Sequence, residues 1–452
     1  MAVVLHILDR LSAAGPTRSL ISLAALQREA GAPWQHRVVT LQAELYPHAL
    51  LMARRAGLQV RRAVDAAELA EEIAQADIVQ LHYWNNPAFL DLLGRRLPPH
   101  RRILWFMVAG GSPPQTITED LAACADLCVA TASSTLRLPA LQRLCKQGRV
   151  ELIPGLADFD RVQGFRSASH AGIRAGYLGT TNFSKMHPGF VAMSAATTSA
   201  ELSFSVVGAG GGEAELRRQA EALGASGRFS FLGFQENIRT VLESLDIFGY
   251  PLCRDTYATS EKSLQEAMAV GLPPVVFPYG GVPDLVEDGV TGRVVCSPEE
   301  YTTALDQLAR DPAERRRLGE AARRYVRQAF DPRRAAAAFA ALYGRLMDLP
   351  KREQHRFAPG LTAGERFARM LEAGEAPFLR SMGGNDPEAD RQIAAASFLL
   401  SQGEGGIIQF RNAYPQDPWL RHWSSLVLEA AGRFEAAARE RTEALRLGKG
   451  DG

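Results

Sequence analysis

The feature that most constrains the fold is a repeated alternation between short apolar runs and segments whose apolar residues recur at helical spacing. It occurs in two series, over residues 2–154 and 174–329, and a polar stretch of small residues at 160–172 separates them. Strands that alternate with helices form parallel sheets covered by helices. The sequence therefore predicts an α/β fold with two open sheets, and ligands in such folds bind beyond the carboxyl ends of the strands.

The predicted elements follow from the position of each apolar run. In the first series we expect strands at residues 2–8, 36–41, 78–82, 103–108, 127–130 and 150–154, with helices at 19–30, 67–74 and 117–125. In the second series we expect strands at 174–178, 203–207, 228–232, 246–250, 274–277 and 292–295, with helices at 188–196, 212–223, 236–244, 261–270, 299–310 and 312–329, and a further helix that begins at 284–287. The predicted domains are residues 1–165 and 172–348.

The character of the chain changes after about residue 350, where only helical patterns continue. Paired short helices are predicted at 394–401, 407–413, 419–431 and 433–447. The last pair resembles a tetratricopeptide-type hairpin, with small residues where the helices touch and a glycine at the turn. Fewer than three such units do not make a free-standing solenoid. Residues 361–452 are therefore predicted to be an all-α module that packs on the body of the protein or on a protein partner.

Composition excludes some classes of function. A formal net charge of +1 gives no global argument for nucleic acid as a partner. The five cysteines are scattered, and Cys124 and Cys128 are predicted to be buried thiols, which suits a reducing cytoplasm. Residues 2–8 are too short and lack the basic lead of a signal peptide, and the sequence contains no apolar run of membrane-spanning length. The expected location is the cytoplasm, and peripheral contact with the inner membrane is compatible with the sequence.

Residues 255–295 contain the strongest candidate ligand site. A helix at 261–270 carries the acid Glu266 among apolar residues and ends at Gly271, which suits a left-handed cap. A buried strand and a glycine turn at 279–281 follow. Hydroxyl and backbone donors at Thr259, Ser260 and Ser263 lie near the start of the helix, where an anion is favoured.

This stretch and the preceding segment at 203–252 resemble the donor-binding half of glycosyltransferase family 4, whose enzymes have the GT-B fold of two Rossmann-like domains facing a cleft. Residues 1–165 also resemble the family, through the first strand, the small-residue loop that follows it and Pro154 at the hinge. The resemblance covers about residues 1–348. It implies a nucleotide-sugar donor, transfer with retention of anomeric configuration and no required metal or other cofactor.

The resemblance also implies roles for individual residues on the donor side. Lys185 stands where the family has its phosphate-binding lysine, and Glu266 matches the second acid of the family's paired-acid motif, which accepts hydrogen bonds from ribose hydroxyls. The first acid of that motif is replaced by Ala258, so Glu261 or Asp255 is expected to substitute for it.

The family usually has an arginine soon after Gly179, but Thr180 follows here, and Arg254 is a candidate replacement. The remaining predicted donor contacts are Gly15, Gly208, Gly210, Gly233, Phe234, Thr259, Ser260, Ser263 and Leu264.

The acceptor is expected to contact polar and aromatic groups at the ends of two strands in the first half. These residues are His82, Tyr83, Trp84, Asn85, Met107 and Gly110. Aromatic rings stack on sugars and amides hydrogen-bond to them. His82 is equally compatible with a core histidine, and Met107 stands where many relatives carry a histidine.

The sequence therefore predicts a retaining glycosyltransferase that moves a sugar from a nucleotide sugar, UDP- or GDP-linked, to a glycan, lipid, small-molecule or protein acceptor. The alternative is a catalytically impaired GT-B protein that acts as a binding subunit through its helical module. The departures at Thr180, Ala258 and Met107 motivate that alternative.

Overall fold

A computed structural model of the chain describes residues 1–12, 14–44, 46–62, 65–396, 399 and 405–448. Two parallel sheets and a group of C-terminal helices make up the fold. The prediction of an α/β fold of the GT-B type, followed by helices, is confirmed.

The first sheet has seven strands in the order β3-β2-β1-β4-β5-β6-β7, all parallel. Its strands are β1 (Ala2–Leu8), β2 (Trp34–Thr40), β3 (Gln59–Arg62), β4 (Ile78–Tyr83), β5 (Arg102–Phe106), β6 (Leu127–Ala130) and β7 (Val150–Leu152). The helices between them are α1 (Gly15–Glu29), α2 (Pro47–Arg55), α3 (Ala66–Gln75), α4 (Pro87–Gly94), α5 (Glu119–Ala123), α6 (Ser133–Leu136) and α7 (Pro139–Lys146).

The second sheet has six parallel strands in the order β10-β9-β8-β11-β12-β13. Its strands are β8 (Ile173–Leu178), β9 (Leu202–Val207), β10 (Phe229–Gly233), β11 (Ile247–Tyr250), β12 (Pro274–Val276) and β13 (Arg293–Val294). Its helices are α8 (Phe190–Ala195), α9 (Glu213–Ala222), α10 (Ile238–Glu243), α11 (Lys262–Ala269), α12 (Pro298–Arg310) and α13 (Pro312–Ala329).

One helix, α14 (Pro332–Met347), returns from the second sheet to the first. Its aromatic face is buried there, where Phe339 packs on Trp105 at a ring-centroid distance of 4.5 Å. The hydroxyl of Tyr343 donates a hydrogen bond of 2.7 Å to the side chain of Gln80 in β4. The end of the two-sheet region is thus fastened to the first half of the chain.

The C-terminal helices are α15 (Ala363–Met370), α16 (Ala376–Met382), α17 (Pro387–Ala394), α18 (Ile407–Ala413), α19 (Pro418–Ala430) and α20 (Phe434–Arg446). They share one apolar core with the first sheet, in which Phe367 and Trp423 belong to the same cluster as Phe89 and Phe106. The hydroxyl of Tyr414 also donates to the carbonyl of Pro87, at 3.2 Å. This region packs on the body of the protein, one of the two arrangements expected from the sequence.

One predicted helix is wrong. Residues 282–284 form a short 3-10 helix, and no α-helix begins at 284–287. The side chain of Asp284 accepts hydrogen bonds from the backbone amide and hydroxyl of Ser133, so it joins the two halves instead of capping a helix. The helix expected at 394–401 overlaps only the end of α17, and most of its remaining residues lie outside the described part of the chain.

Several elements were not predicted, namely α2, β3, α4, α6, α7 and α14. Cys124 and Cys128 are buried as expected, and burial raises the pKa of each thiol to about 12. Among the described helices, none combines the length and apolarity needed to cross a membrane. Within the described part of the chain, no cluster of three or more histidine, cysteine or acidic side chains is arranged to hold a metal ion.

Candidate functional site

The candidate site lies where both sheets reverse their strand order. The reversal falls between β1 and β4 in the first sheet and between β8 and β11 in the second. Open parallel sheets bind ligands beyond the strand ends at such points. The loops after these four strands, together with helix α11, carry most of the predicted site residues, and they face one another across a closed cleft.

Direct hydrogen bonds join the two halves across the cleft. The amide of Ala109 donates to the carbonyl of Tyr257 at 2.8 Å, and the hydroxyl of Ser134 donates to the carbonyl of Gly280 at 3.2 Å. The hydroxyls of Thr131 and Thr259 lie 2.9 Å apart. The predicted donor residue Thr259 therefore contacts the first half of the chain in this closed arrangement.

Glu266 is the acid at the centre of the cleft, with a relative exposure of 1%. Its Oε1 accepts a hydrogen bond from Nη1 of Arg18 at 3.0 Å and another from Nη1 of Arg161 at 3.1 Å. Arg18 lies in the first turn of α1, and Arg161 lies in the segment between the sheets. A buried carboxylate needs such partners, since an unpaired buried charge is costly.

Lys185 and Glu261 form a second charged pair beside Glu266. Nζ of Lys185 lies 4.0 Å from Oε2 of Glu261, which also accepts a hydrogen bond of 2.8 Å from the hydroxyl of Tyr250. Burial lowers the pKa of Lys185, the nearby Glu261 carboxylate opposes this, and Arg18 lowers it further. Oε1 of Glu261 is buried and has no hydrogen-bond partner within the described ranges, so it can accept one from a ligand.

The backbone of Glu261 is strained. Its φ of 41° and ψ of 50° lie in the left-handed region, which is uncommon for a residue with a Cβ and costs about 1–3 kcal/mol. This conformation immediately precedes α11 and directs the side chain toward Lys185. Asp255, the other candidate for the missing acid, is exposed. The geometry therefore favours Glu261.

Lys262 reaches from the second half of the chain to the first, whereas Arg18 reaches from the first half to the second. Its Nζ donates a hydrogen bond of 2.6 Å to the carbonyl of Gly15 and a second to the hydroxyl of Ser19. Burial lowers the pKa of Lys262 well below its usual value, with a further contribution from Arg18. The predicted donor loop at Gly15 is thus held by a cation from the second half.

Glycines allow two loops of the second half to touch. A Cβ on Gly208, whose φ is 142°, would lie 1.7 Å from the carbonyl oxygen of Gly179. A Cβ on Gly210 would lie 2.8 Å from the side chain of Thr180. The glycine run after β9 therefore fixes the loop after β8, which leads to Lys185.

The other predicted donor residues differ in exposure. Leu264 is fully buried in the core, whereas Ser260 and Ser263 are half-buried. Gly233 has a φ of 61° at the end of β10, and the neighbouring Phe234 is 61% exposed. Arg254 is also exposed, so its guanidinium does not belong to the buried charge cluster.

On the acceptor side, His82 ends a chain of buried histidines. Its Nε2 lies 3.0 Å from Nδ1 of His6, and Nε2 of His6 lies 2.8 Å from Nδ1 of His36. Nε2 of His36 lies 3.0 Å from Oε1 of Gln27, whose amide nitrogen donates to the carbonyl of Ala336 in α14 at 2.8 Å. Because Oε1 can only accept, each ring donates toward Gln27, and Nδ1 of His82 is left as an acceptor.

Burial keeps these rings neutral. It lowers the pKa of His36 to about 4 and that of His82 to about 3, with the Lys262 ammonium contributing at His82. Nδ1 of His82 is buried and has no hydrogen-bond partner in the described regions. His82 is thus a core histidine that also presents a free lone pair close to the charge cluster.

Trp84 and Asn85 lie just past the end of β4. The Trp84 ring packs on Tyr257 from the second half at a centroid distance of 5.1 Å. The amide of Asn85 donates to the Gln115 side chain at 2.8 Å, and a Cβ on Gly405 would lie 3.1 Å from the Asn85 carbonyl. The C-terminal helical region therefore borders the predicted acceptor side.

Of the remaining predicted acceptor residues, two are buried and the third is a glycine that acts through its backbone conformation. Tyr83 is fully buried against Phe89 and Phe106, and Met107 is 7% exposed. Gly110 has a φ of 82°, and a Cβ there would lie 2.3 Å from Ile117. Gly110 shapes the loop after β5 through its backbone.

Three cations of the cleft were missed from the sequence, namely Arg18, Arg161 and Lys262. With Lys185 they place four basic side chains beside the carboxylates Glu261, Glu266, Asp158 and Asp160, as the mutual effects on pKa in this cluster show. Local signals existed, since Arg18 follows the predicted Gly15 loop and Lys262 adjoins Glu261. Their convergence depends on how the halves pack.

The second half of the chain matches a described protein family. Residues 189–325 match the family model "Glycosyl transferases group 1". The matched segment runs from α8 into α13 and includes both Glu261 and Glu266.

Curated relatives match over part of the chain. The D-inositol 3-phosphate glycosyltransferase of Mycobacterium leprae (strain TN) is 35% identical over 99 residues, which are 21% of this chain and 22% of that protein. The N-acetyl-alpha-D-glucosaminyl L-malate synthase of Bacillus anthracis is 29% identical over 119 residues, which are 26% of this chain and 30% of that one. The chain thus spans less than a third of the length of these relatives.

Solved structures share the fold over most of the chain. The Anabaena protein HepE, in complex with UDP and glucose, superposes with a TM-score of 0.64 at 16% identity, covering 76% of this chain and 100% of that one. The sucrose-phosphate synthase of Thermosynechococcus elongatus superposes with a TM-score of 0.59 at 18% identity, covering 76% and 99%. These matches cover about three quarters of the chain and support the GT-B fold for its two-sheet region.

Proposed function

We propose that this chain is a glycosyltransferase that transfers a sugar from a nucleoside-diphosphate sugar to an acceptor, with retention of anomeric configuration. The observation that carries the proposal is the convergence of four basic side chains in the cleft, those of Arg18, Arg161, Lys185 and Lys262. A diphosphate leaving group requires this kind of neutralisation when no metal supplies it. The matched family is one of glycosyl transferases, and the Mycobacterium leprae relative is a D-inositol 3-phosphate glycosyltransferase. HepE is in complex with UDP and glucose, which supports a nucleotide sugar as the donor.

The proposed roles are those that the family resemblance implies, and the contacts support them. Lys185 binds the diphosphate, and Glu266 accepts hydrogen bonds from the ribose hydroxyls. Glu261 accepts a hydrogen bond from a hydroxyl of the transferred sugar through its free Oε1. The acceptor binds beside Trp84 and Asn85. The departing phosphate takes the acceptor's proton, so the protein mainly positions and neutralises. The catalytically impaired alternative is not favoured, since Glu261 stands beside Lys185 despite the alanine at 258.

We propose UDP or GDP as the nucleotide, a cytoplasmic location with peripheral contact at the inner membrane, and a glycan, lipid, small-molecule or protein acceptor. The proposed domains are residues 1–165 and 172–348, with a tetratricopeptide-like extension at 361–452. The α19–α20 hairpin is the proposed surface for a protein partner, because Phe434 and Leu445 of α20 are 67% and 59% exposed.

The decisive experiment is a thermal-shift panel with UDP-, GDP-, ADP- and TDP-sugars, because a ligand that binds the folded state raises its stability. One nucleotide series should raise the melting temperature, and slow hydrolysis of that sugar should disappear in Glu266→Ala and Lys185→Ala. Analysis of the anomer released tests retention. No shift with any nucleotide sugar, and no hydrolysis, would refute the proposal.

A further inference from the structure

The loop after β8 is short of one positive charge for a diphosphate. Thr180 follows Gly179 there, and Lys185 is the cation that this loop brings into the buried cluster. Arg254, the replacement expected from the sequence, is exposed. A diphosphate bound at this loop needs another cation from a different part of the chain.

Arg18 is positioned to be that cation. It lies in the first turn of α1, three residues after Gly15, and its side chain is 25% exposed. Nη1 reaches across the cleft to Oε1 of Glu266 at 3.0 Å. Its Nε is buried and has no hydrogen-bond partner among the described residues, so the guanidinium still has a donor to offer.

Glu266 has a second guanidinium partner beside Arg18. Arg161 donates to the same oxygen of Glu266 at 3.1 Å, so two guanidinium groups share one carboxylate oxygen. Glu266 therefore keeps a guanidinium partner if the side chain of Arg18 turns away from it. Arg18 bonds to Glu266 of α11, and Lys185 lies 4.0 Å from Glu261, which immediately precedes α11. The Arg18 charge accordingly lowers the pKa of Lys185.

We propose that Arg18 supplies, from the first half of the chain, the guanidinium that neutralises the donor diphosphate in place of the cation missing at Thr180. This inference rests on the proposed function. A guanidinium also presents two parallel N–H donors in a rigid fork that matches a pair of phosphate oxygens, a geometry that a lysine lacks.

The test measures affinities for UDP and UMP by calorimetry, or for GDP and GMP if the panel selects guanine. Arg18→Gln should weaken diphosphate binding by about 10- to 100-fold, as expected for lost charged hydrogen bonds. Binding of the monophosphate should change much less. Arg18→Lys should recover part of the loss, since it restores charge without the two-pronged geometry. Melting curves of each variant show that the fold is kept.

Arg28→Gln is the matched control, because Arg28 lies on the same helix but is exposed and bonded to the carbonyl of Arg55. It should bind both nucleotides as the unchanged chain does. If Arg18→Gln leaves the ratio of diphosphate to monophosphate affinity unchanged, the inference is wrong while the proposed function stands. If the unchanged chain binds no nucleoside diphosphate, both are wrong.

Discussion

At the scale of single residues, Glu261 is the side chain whose role the structure sharpens most. We expect Glu261→Gln to lower kcat/KM by about 100-fold or more, because the neutral amide loses the charge that faces Lys185 and a strong acceptor. Steady-state kinetics with the identified donor measures the effect. Asp255→Asn is the comparison, because Asp255 is the other acid near the missing position. A large loss in Asp255→Asn with little loss in Glu261→Gln would reverse the assignment.

Gly208 tests the contact between the two donor loops. We expect Gly208→Ala to lower the melting temperature more than Gly224→Ala. Both glycines have a positive φ, of 142° and 64°, but only Gly208 would place its Cβ within 4 Å of other atoms, 1.7 Å from the Gly179 carbonyl. Thermal unfolding of both variants separates the steric clash from the backbone strain. Equal losses would show that the loops can separate at little cost.

A site residue could be predicted from the sequence when the pattern that identifies it lies within one short segment. Lys185 and Glu266 stand in short patterns within one helix or loop, so the sequence indicates them without a structure. Arg18 and Lys262 acquire their roles only when the two halves meet, since each bonds to a residue more than 240 positions away. Periodicity within one segment carries no information about such partners.

At the scale of elements, the histidines of β1, β2 and β4 make stability depend on pH. Burial lowers the folded-state pKa of His36 to about 4, below an unfolded value of about 6.5. Between these values the unfolded chain binds more protons, so the free energy of unfolding falls as the pH drops below about 6.5. Each unit of difference is worth about 1.4 kcal/mol per histidine. Above that pH the contribution is constant.

Urea unfolding at pH 7, 6 and 5 measures this dependence. We expect His36→Asn to be less stable at pH 7, because it breaks the hydrogen bonds to His6 and Gln27, and to lose less stability on acidification than the unchanged chain. His355→Asn is the control, because that histidine is exposed. An unaltered pH slope in His36→Asn would contradict the assignment.

The elements show a similar limit to sequence reasoning. The strands buried on both faces were predicted because their apolar runs are continuous, whereas β3, with the sequence QVRR, lies at the sheet edge and has no such run. The helix expected at 284–287 was wrong because Asp284 bonds to Ser133, 151 positions away. Helix α14 was not predicted, although its small residues favour a helix. Its stability comes from aromatic residues that pack on the first sheet, and a local pattern does not reveal that contact.

At the scale of the whole molecule, the C-terminal helices behave as part of the first half. Phe367, Phe378 and Trp423 share a core with β1, β4 and β5, so removal of these helices uncovers a large apolar face. We expect a chain that ends at residue 348 to aggregate or to melt at a clearly lower temperature. Differential scanning calorimetry of both chains measures this. Unfolding of the shortened chain at the original temperature would show that the helices are an independent appendage.

A milder variant separates stability from recruitment. The double substitution Phe434→Ser and Leu445→Ser changes side chains that are exposed on α20, so the melting temperature should stay within a few degrees. If the hairpin recruits a protein acceptor, transfer to that acceptor should fall while hydrolysis of the nucleotide sugar is unchanged. Equal transfer rates would remove the hairpin from acceptor recognition.

On the ribosome, the first sheet emerges long before the C-terminal helices that complete its apolar core. Leu5 and Phe89 share their apolar cluster with Phe367 and Trp423, which are synthesised hundreds of residues later. At about 5–20 residues per second, that delay lasts roughly 15 s to more than a minute. During this time the nascent chain presents an uncovered apolar surface, so its yield in a cell should depend on chaperones that bind such surfaces.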